Sequence, residues 1–369
     1  MKEFLSLTFK LTAIGIGALY LFTTAPTPSE TVIEYEAPVV IEEPTPEPEI
    51  IVEEVVVEEE IVVEPVIQEE VVVEKKKIIL TSQDFYTTPP SSLDELNKTT
   101  SKAIVNVLCN ATQGSPVGGA TGSGVIIDPN GIILTNAHVA QYALLQENPA
   151  ARVSCAIRTG APAKARYTTK VIAFPDAWLQ EHAKDIKLEL ATGTGEHDWA
   201  LLYITERTDG SEKPKTYPYV PFDARMGVAQ TGDPVLLSGY PAGFLGGVTL
   251  QRDLWPVSTI VSIQKVYTFV TSTIDIISLG GNIVAQGGSS GGGVINQWGH
   301  LVGIIVTSST ADVTDDRDLR AVTLSHISDS FSRETGKGLL HYLNEKDFDV
   351  KLKDFQDNTL PSLLEYYPL

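Results

Sequence analysis

The chain has 369 residues, two cysteines and a formal net charge of −20, enough length for two average domains or one larger domain with appendages. The segment from Pro26 to Glu74 holds sixteen glutamates and no Asp, Lys or Arg, leaving roughly −4 for everything else. The acidity therefore belongs to a segment rather than to a fold, and nothing in the remainder has the basic character that nucleic-acid binding requires. Cys109 and Cys155 form no CxxC or Cys/His pattern, so no metal site and no cofactor is expected. The two cysteines read equally well as buried free thiols or as a bridge formed in an oxidising compartment.

Taken in chain order, the N-terminus opens with Lys2 and Lys10 ahead of an apolar run, Leu11 to Phe22. That is the pattern of a secretory signal or signal-anchor over residues 1–25. Pro26 would follow the small residues Thr23-Thr24-Ala25 and obstruct cleavage, so an uncleaved hydrophobic helix is expected, with the rest of the chain outside the cytoplasm. Residues 26–90 are low-complexity Glu/Val/Ile/Pro sequence without sustained periodicity, which predicts a disordered, extended acidic linker. Ser91 to Leu96 reads as a capped short helix with acidic residues in its first turn.

From Ala103 to about Val306 the dominant signal is short β-branched runs broken by Gly, Pro, Asn and Asp. They include 103–108, 124–127, 131–135, 152–157, 200–204, 234–237, 257–263, 293–295 and 301–307. Many short strands with frequent turns predict an all-β barrel or sandwich fold. Thr208 to Pro221 reads as a connection between two β units, Ser325 to Thr335 as a closing helix, and residues 346–369 as a polar-aromatic tail.

Three motifs carry chemistry. In Gly287-Gly288-Ser289-Ser290-Gly291-Gly292-Gly293, glycines allow the backbone to turn its N–H groups inward around an exposed hydroxyl. Ser290 is the candidate nucleophile, with the N–H groups of Gly288 and Ser290 as oxyanion donors. In Gly131 to Val139, a β-run ends in a small residue followed by His138, an imidazole able to accept the serine proton. Asp198 directly precedes the apolar strand Trp199 to Leu202, where a carboxylate can hold the histidine tautomer. Asp176 and Asp185 compete for that role but lie in polar, helix-like sequence.

The blocks Gly-Ser-Gly-Val-Ile-Ile-Asp (122–128), Leu-Thr-Asn-Ala-His-Val (134–139), Asp-Trp-Ala-Leu-Leu (198–202), Gly-Tyr-Pro-Ala-Gly (239–243) and Gly-Ser-Ser-Gly-Gly (288–292) resemble, in order, those of trypsin-like serine proteases. They are most similar to the HtrA/Deg branch of bacterial envelopes. The resemblance implies two perpendicular six-stranded β-barrels within residues 91–345, about 103–207 and 222–330, with the site between them. It implies a serine endopeptidase acting on protein or peptide substrates through a His138, Asp198, Ser290 triad. It also implies that the strand carrying Ile305, Val306 and Thr307 pairs with extended substrate, and that Cys109 and Cys155 are bridged. Ser289 stands where zymogens of the family keep an activating aspartate, and Val284 where trypsin-specific enzymes keep an acid at the pocket floor. Small or aliphatic side chains before the scissile bond are expected, rather than Lys or Arg. The roughly thirty residues after His341 are expected to be too few for the PDZ domain usual in that branch.

Two other readings stay open. Gly-x-Ser-x-Gly also describes the nucleophile elbow of α/β-hydrolases, with His300, His326 or His341 as a late histidine. A protease-like fold can also serve as a catalytically silent peptide-binding module on a membrane tether.

Overall fold

The computed structural model describes residues 81–187, 194–243, 247–269, 273–308, 318–345 and 347–369. The expected N-terminal helix and most of the expected acidic linker lie outside the described residues. The described residues begin at Thr81, within the stretch expected to be linker. A single 3-10 turn, Ser82–Phe85, is closed by a reciprocal cap between Thr81 and Asp84. Ser82 Oγ donates to Asp233 at 2.9 Å and the Tyr86 hydroxyl to Asp223 at 2.8 Å. The Tyr86 ring stacks on Trp298 with centroids 4.3 Å apart. These side-chain anchors, and not local propensity, tie the end of the low-complexity stretch to the fold.

After helix α1 (Leu93–Thr100) come strands β1 (Ile104–Ala111), β2 (Ala120–Asp128), β3 (Ile132–Thr135), β4 (Val153–Thr159), β5 (Lys164–Ala173) and β6 (Ala200–Arg207). They form a closed barrel in the order β1-β2-β3-β6-β5-β4. The strands alternate as a half-buried ladder should: Val153, Cys155 and Ile157 of β4 point inward, as do Val105, Val107 and Cys109 of β1. Helix α2 (Ala137–Leu145) leaves β3, and α3 (Asp176–His182) leaves β5. Cys109 and Cys155 face each other directly in the β1–β4 register and are joined by a disulfide.

The second lobe comprises β7 (Pro234–Gly239), α4 (Gly247–Arg252), β8 (Val257–Ser262), β9 (Lys265–Tyr267), β10 (Ile276–Ser278), β11 (Gly293–Ile295), β12 (Leu301–Ser308) and β13 (Leu319–Thr323). Here the expected second six-stranded barrel is corrected to a seven-stranded sheet, β8-β7-β11-β12-β13-β10-β9. The physical reason is a corner at Ile263-Gln264. Ile263 N–H bonds Asp233 O beside β7, whereas Gln264 N–H bonds Ser278 O of β10. One run of β sequence thus breaks into two edge strands, and the chain itself passes from one sheet edge to the other.

Helix α5 (Leu324–Thr335) is capped by Thr323, whose hydroxyl accepts from His326 N, and ends at Gly336 with φ 69°. Next are α6 (Leu339–Asn344), α7 (Phe348–Asp354) and α8 (Leu360–Leu364), the last two joined through a π-turn, Phe355–Thr359. The expected tail is therefore helical. Phe348, Phe355, Leu360, Leu363 and Tyr367 are all buried, and the π-turn shifts the apolar stripe by one residue so that it stays on one face. Among the described residues, no helix is long and apolar enough to cross a membrane.

The disulfide closes a loop with a sequence separation of 46. Replacing both Cys109 and Cys155 by serine is expected to lower unfolding free energy by roughly 2–4 kcal/mol. Denaturant unfolding of the two proteins measures it.

Candidate functional site

The antiparallel register pairs Thr135 of β3 with Ala200 of β6. The chain leaving β3 and the chain entering β6 therefore meet at one end of the first barrel. Three residues beyond Thr135 is His138; two before Ala200 is Asp198. His138 Nδ1 lies 2.8 Å from Asp198 Oδ2, and the His138 backbone N–H donates to Asp198 Oδ1 at 3.0 Å. One carboxylate thus caps the first turn of α2 and orients the imidazole that the turn carries. Asn136 Nδ2 donates back to the Asp198 carbonyl at 2.9 Å. On the other side, Trp199 Nε1 donates to Ser330 Oγ at 2.9 Å, and His197 Nδ1 lies 2.8 Å from the same hydroxyl.

Burial pulls the His138 imidazole down, but the Asp198 charge and the hydrogen bond to it outweigh that, and the net shift is upward from the ordinary value. With Asp198 accepting at Nδ1, the proton sits on Nδ1 and the lone pair on Nε2. The His138 side chain keeps 30% of its surface exposed while that of Asp198 keeps 7%. This is an imidazole open on one edge and anchored on the other.

Ser290 reaches this end of the barrel through Ser123 of β2. Ser123 N–H donates to Ser290 O at 2.7 Å, and Ser123 Oγ donates to Gly288 O at 2.8 Å. Tyr240 N–H donates to the same hydroxyl at 2.8 Å, and Thr135 Oγ1 to Ser123 O at 2.6 Å. Two glycines are compelled by this closeness. Gly291 has φ 83°, and a Cβ there would stand 2.1 Å from Ser123 O; Gly288 has φ 90°, and a Cβ would stand 2.8 Å from Tyr240 O. The N–H groups of Gly288 and Ser290 enter no hydrogen bond among the described residues. They are uncommitted donors on either side of Ser289.

Ser290 Oγ donates to Val306 O at 3.4 Å, a long contact, and no hydrogen bond of the described residues joins it to His138. The imidazole and carboxylate are in contact; the hydroxyl is held nearby by its backbone and turned toward β12.

The expected substrate-binding residues divide. The N–H of Ile305 bonds Gly292 O and its carbonyl accepts from Gly291 N–H, both at 2.8 Å, so its backbone is bonded to the serine loop. Val306 falls at the register shift between Ile305 and Thr307 opposite β13, which leaves it outside the ladder, although its side chain is buried. Thr307 pairs with Arg320 in β13; its side chain lies outside what is described. Val284 has no exposed surface and belongs to the second lobe's core with Val235, Leu237 and Ile277. Ser289 is buried, and its hydroxyl has no partner among the described residues.

The competitors are elsewhere. Asp176 accepts from Gln180, and Asp185 lies 3.5 Å from His182. His300 stacks on Tyr86, His326 lies 3.1 Å from Asp275, and His341 lies 3.3 Å from Glu345. Ser290 leads into strand β11 and not into a helix, which removes the support for a nucleophile-elbow order. Among the described residues there is no cluster fit to hold a metal ion. Sequence reasoning missed the bridging work of Ser123 and the acceptor role of Val306 O. The only signal for Ser123 was its position between Gly122 and Gly124, which spare it side-chain crowding.

Residues 122–304 match the family model described as the trypsin-like peptidase domain. Similar solved structures include a serine endoprotease from Yersinia pestis, at 20% identity and a TM-score of 0.40, covering 72% of this chain and 69% of that one. Deg5 is similar at 18% identity and a TM-score of 0.41, covering 63% and 89%. An HtrA-type protease, a variant of AlgW with a tripeptide, is similar at 18% identity and a TM-score of 0.42, covering 67% and 65%. No curated protein matches the chain.

The opposing effects on His138 give a signed prediction. Its titration, followed by NMR of the imidazole, should have a midpoint above about 6.5 in the native protein. In Asp198→Asn only burial remains, and the midpoint should fall below that value. Because the folded value is raised, the pair's contribution to stability is complete below about pH 6.5 and is lost as pH rises through the folded midpoint.

Proposed function

We propose that this chain, which residues 122–304 make a member of the trypsin-like peptidase family, is a serine endopeptidase with His138, Asp198 and Ser290 as its triad. The observation that carries the reading is the 2.8 Å contact between His138 Nδ1 and Asp198 Oδ2, formed at the barrel end to which Ser123 ties the Ser290 loop. In this reading a χ1 rotation frees Ser290 Oγ from Val306 O and turns it to the substrate carbonyl. His138 Nε2 takes its proton as Oγ bonds to the carbonyl carbon. The oxyanion meets the N–H groups of Gly288 and Ser290, which have no other partner to give up. His138 then returns the proton to the leaving amine, and water attacks the acyl-enzyme by the same route in reverse. Asp198 stays ionised and stabilises the imidazolium.

The position of Ser290 Oγ on Val306 O favours one alternative, a catalytically silent module that grips peptides. A single experiment separates the two. Labelling by a fluorophosphonate probe should occur in the native chain, vanish in Ser290→Ala and persist in Ser289→Ala. Peptide hydrolysis should fall at least about 10⁴-fold in Ser290→Ala. An unlabelled native chain that still binds peptides would establish the module. Ser289→Ala removes a buried hydroxyl without a partner, so it should leave stability unchanged or raise it by about 1 kcal/mol.

The reading includes a location. The apolar run after Lys2 and Lys10, together with the Cys109–Cys155 bridge, supports a protease domain held outside the cytoplasm in the cell envelope by an N-terminal anchor, on an acidic linker. Turnover of envelope proteins is the corresponding role. The full-length chain should pellet with membranes after carbonate washing; its recovery as a free, shortened protein in the medium would show a cleaved signal instead.

A further inference from the structure

The C-terminal helical segment lies outside the family match, yet it reaches the histidine. Tyr367 is 4% exposed, and its hydroxyl donates to Gln141 Oε1 at 3.0 Å. Gln141, 5% exposed, donates in turn from Nε2 to the carbonyl oxygen of His138 at 2.9 Å. Residues three apart on a helix share a face, so the side of α2 that carries His138 carries Gln141 one turn later.

The two contacts fix the amide. A primary amide can point its oxygen either way, but here the oxygen must face the tyrosine hydroxyl and the nitrogen must face the His138 carbonyl. Removal of the Tyr367 hydroxyl would leave Gln141 Oε1 buried and unpaired, and the constraint on the amide's orientation would go with it. His138 also lies in the first turn of α2. Its N–H is taken by Asp198 Oδ1 and its carbonyl by Gln141 Nε2, so the residue is gripped on both sides of its own backbone. One grip comes from the acid and the other from the C-terminal segment. Leu360 and Leu363, buried on that segment, belong with Tyr367 to the same hydrophobic core.

We propose that Tyr367 and Gln141 are positioning residues for His138, and that the C-terminal helices are a latch which sets the imidazole for proton transfer. The proposal rests on the protease reading above. A base displaced by a fraction of an ångström still binds substrate but transfers the proton poorly. The latch should therefore act on kcat and not on KM.

The test uses the full-length chain with Tyr367→Phe, Gln141→Leu, Gln141→Glu and the Tyr367→Phe/Gln141→Leu double variant. Gln141→Glu keeps the acceptor for Tyr367 and loses the donor to His138, so it isolates the second contact without a change of size. For each, kcat should fall about tenfold per folded molecule, with KM within about twofold of the native value. The double variant should be no slower than the slower single one, because both act through one contact. The Nδ1–H resonance of His138, far downfield when bonded to a carboxylate, should shift or broaden in Tyr367→Phe. A lowered Tm with native kcat and an unmoved resonance would reduce these residues to packing and overturn the proposal. If the native chain proves unreactive to the fluorophosphonate probe, the protease reading fails and the resonance alone decides. Movement in Tyr367→Phe still upholds the latch on His138, and no movement sinks it.

Discussion

Ser123 joins the two lobes where the chemistry is proposed to occur. Its N–H, its carbonyl and both roles of its hydroxyl are taken, by Ser290 O, Thr135 Oγ1, Gly288 O and Tyr240 N–H. The residue has no exposed surface. A buried polar group left without its partner costs about 1–3 kcal/mol, while a satisfied one contributes only about 1. Misplacing this serine would therefore orphan two carbonyl acceptors of the nucleophile loop, Gly288 O and Ser290 O, and the Tyr240 N–H at once. The glycines at 288 and 291 follow from it, since a side chain at either would strike Tyr240 O or Ser123 O. Gly291 is thus a consequence of how closely β2 approaches the loop, and Gly288 of how closely the chain after β7 does; flexibility need not be invoked.

A buried polar cluster on the opposite face of β1 and β4 obeys the same economy. Arg158 is 2% exposed and has no carboxylate beside it. Its guanidinium donates instead to Asn106 Oδ1 and to the carbonyls of Ala163, Leu250 and Gln251. Leu250 and Gln251 belong to the last turn of α4, whose carbonyls have no partner within the helix. Burial lowers the guanidinium below its usual range, but five donors in a planar fork can satisfy four carbonyl-type oxygens where a lysine could not. The second lobe's α4 is thereby fastened to β4 of the first lobe, far along the chain from it.

How much of this could be read from the residues depends on where each signal lay. Strands dense in Val, Ile and Leu, such as β3, β6 and β12, announced themselves. β5 did not, because its first half, Lys164 to Thr168, is mostly solvent-facing and reads as a polar loop. Helix α2 was hidden for the opposite reason. Seven of its nine residues are buried, so Ala137 to Leu145 shows no polar face and continues the apolar run of β3. The C-terminal helices carried a stripe broken by the π-turn, and a five-residue step between Phe355 and Leu360 fits neither helical nor strand period. The histidine, acid and serine were legible because each sits beside a short motif. Their supports were not, since Ser123, Gln141 and Val306 act through backbone contacts that have no sequence signature.

The histidine and the acid are each braced from beyond the segment that matches the family. The turn carrying Asp198 is pinned through Trp199 and His197 to Ser330 of α5. His138 is tied through Gln141 to Tyr367. The barrel and the seven-stranded sheet bring the motifs toward one end of the first barrel, because strand register decides which loops meet. Register sets position only to the scale of a residue, about 3.3 Å, and proton transfer is sensitive to much less than that. The finer placement must come from side chains packed against the loops afterwards, and in this chain they come from the residues that follow β11. A fragment ending near residue 304 would keep the three motifs and lose every one of these braces.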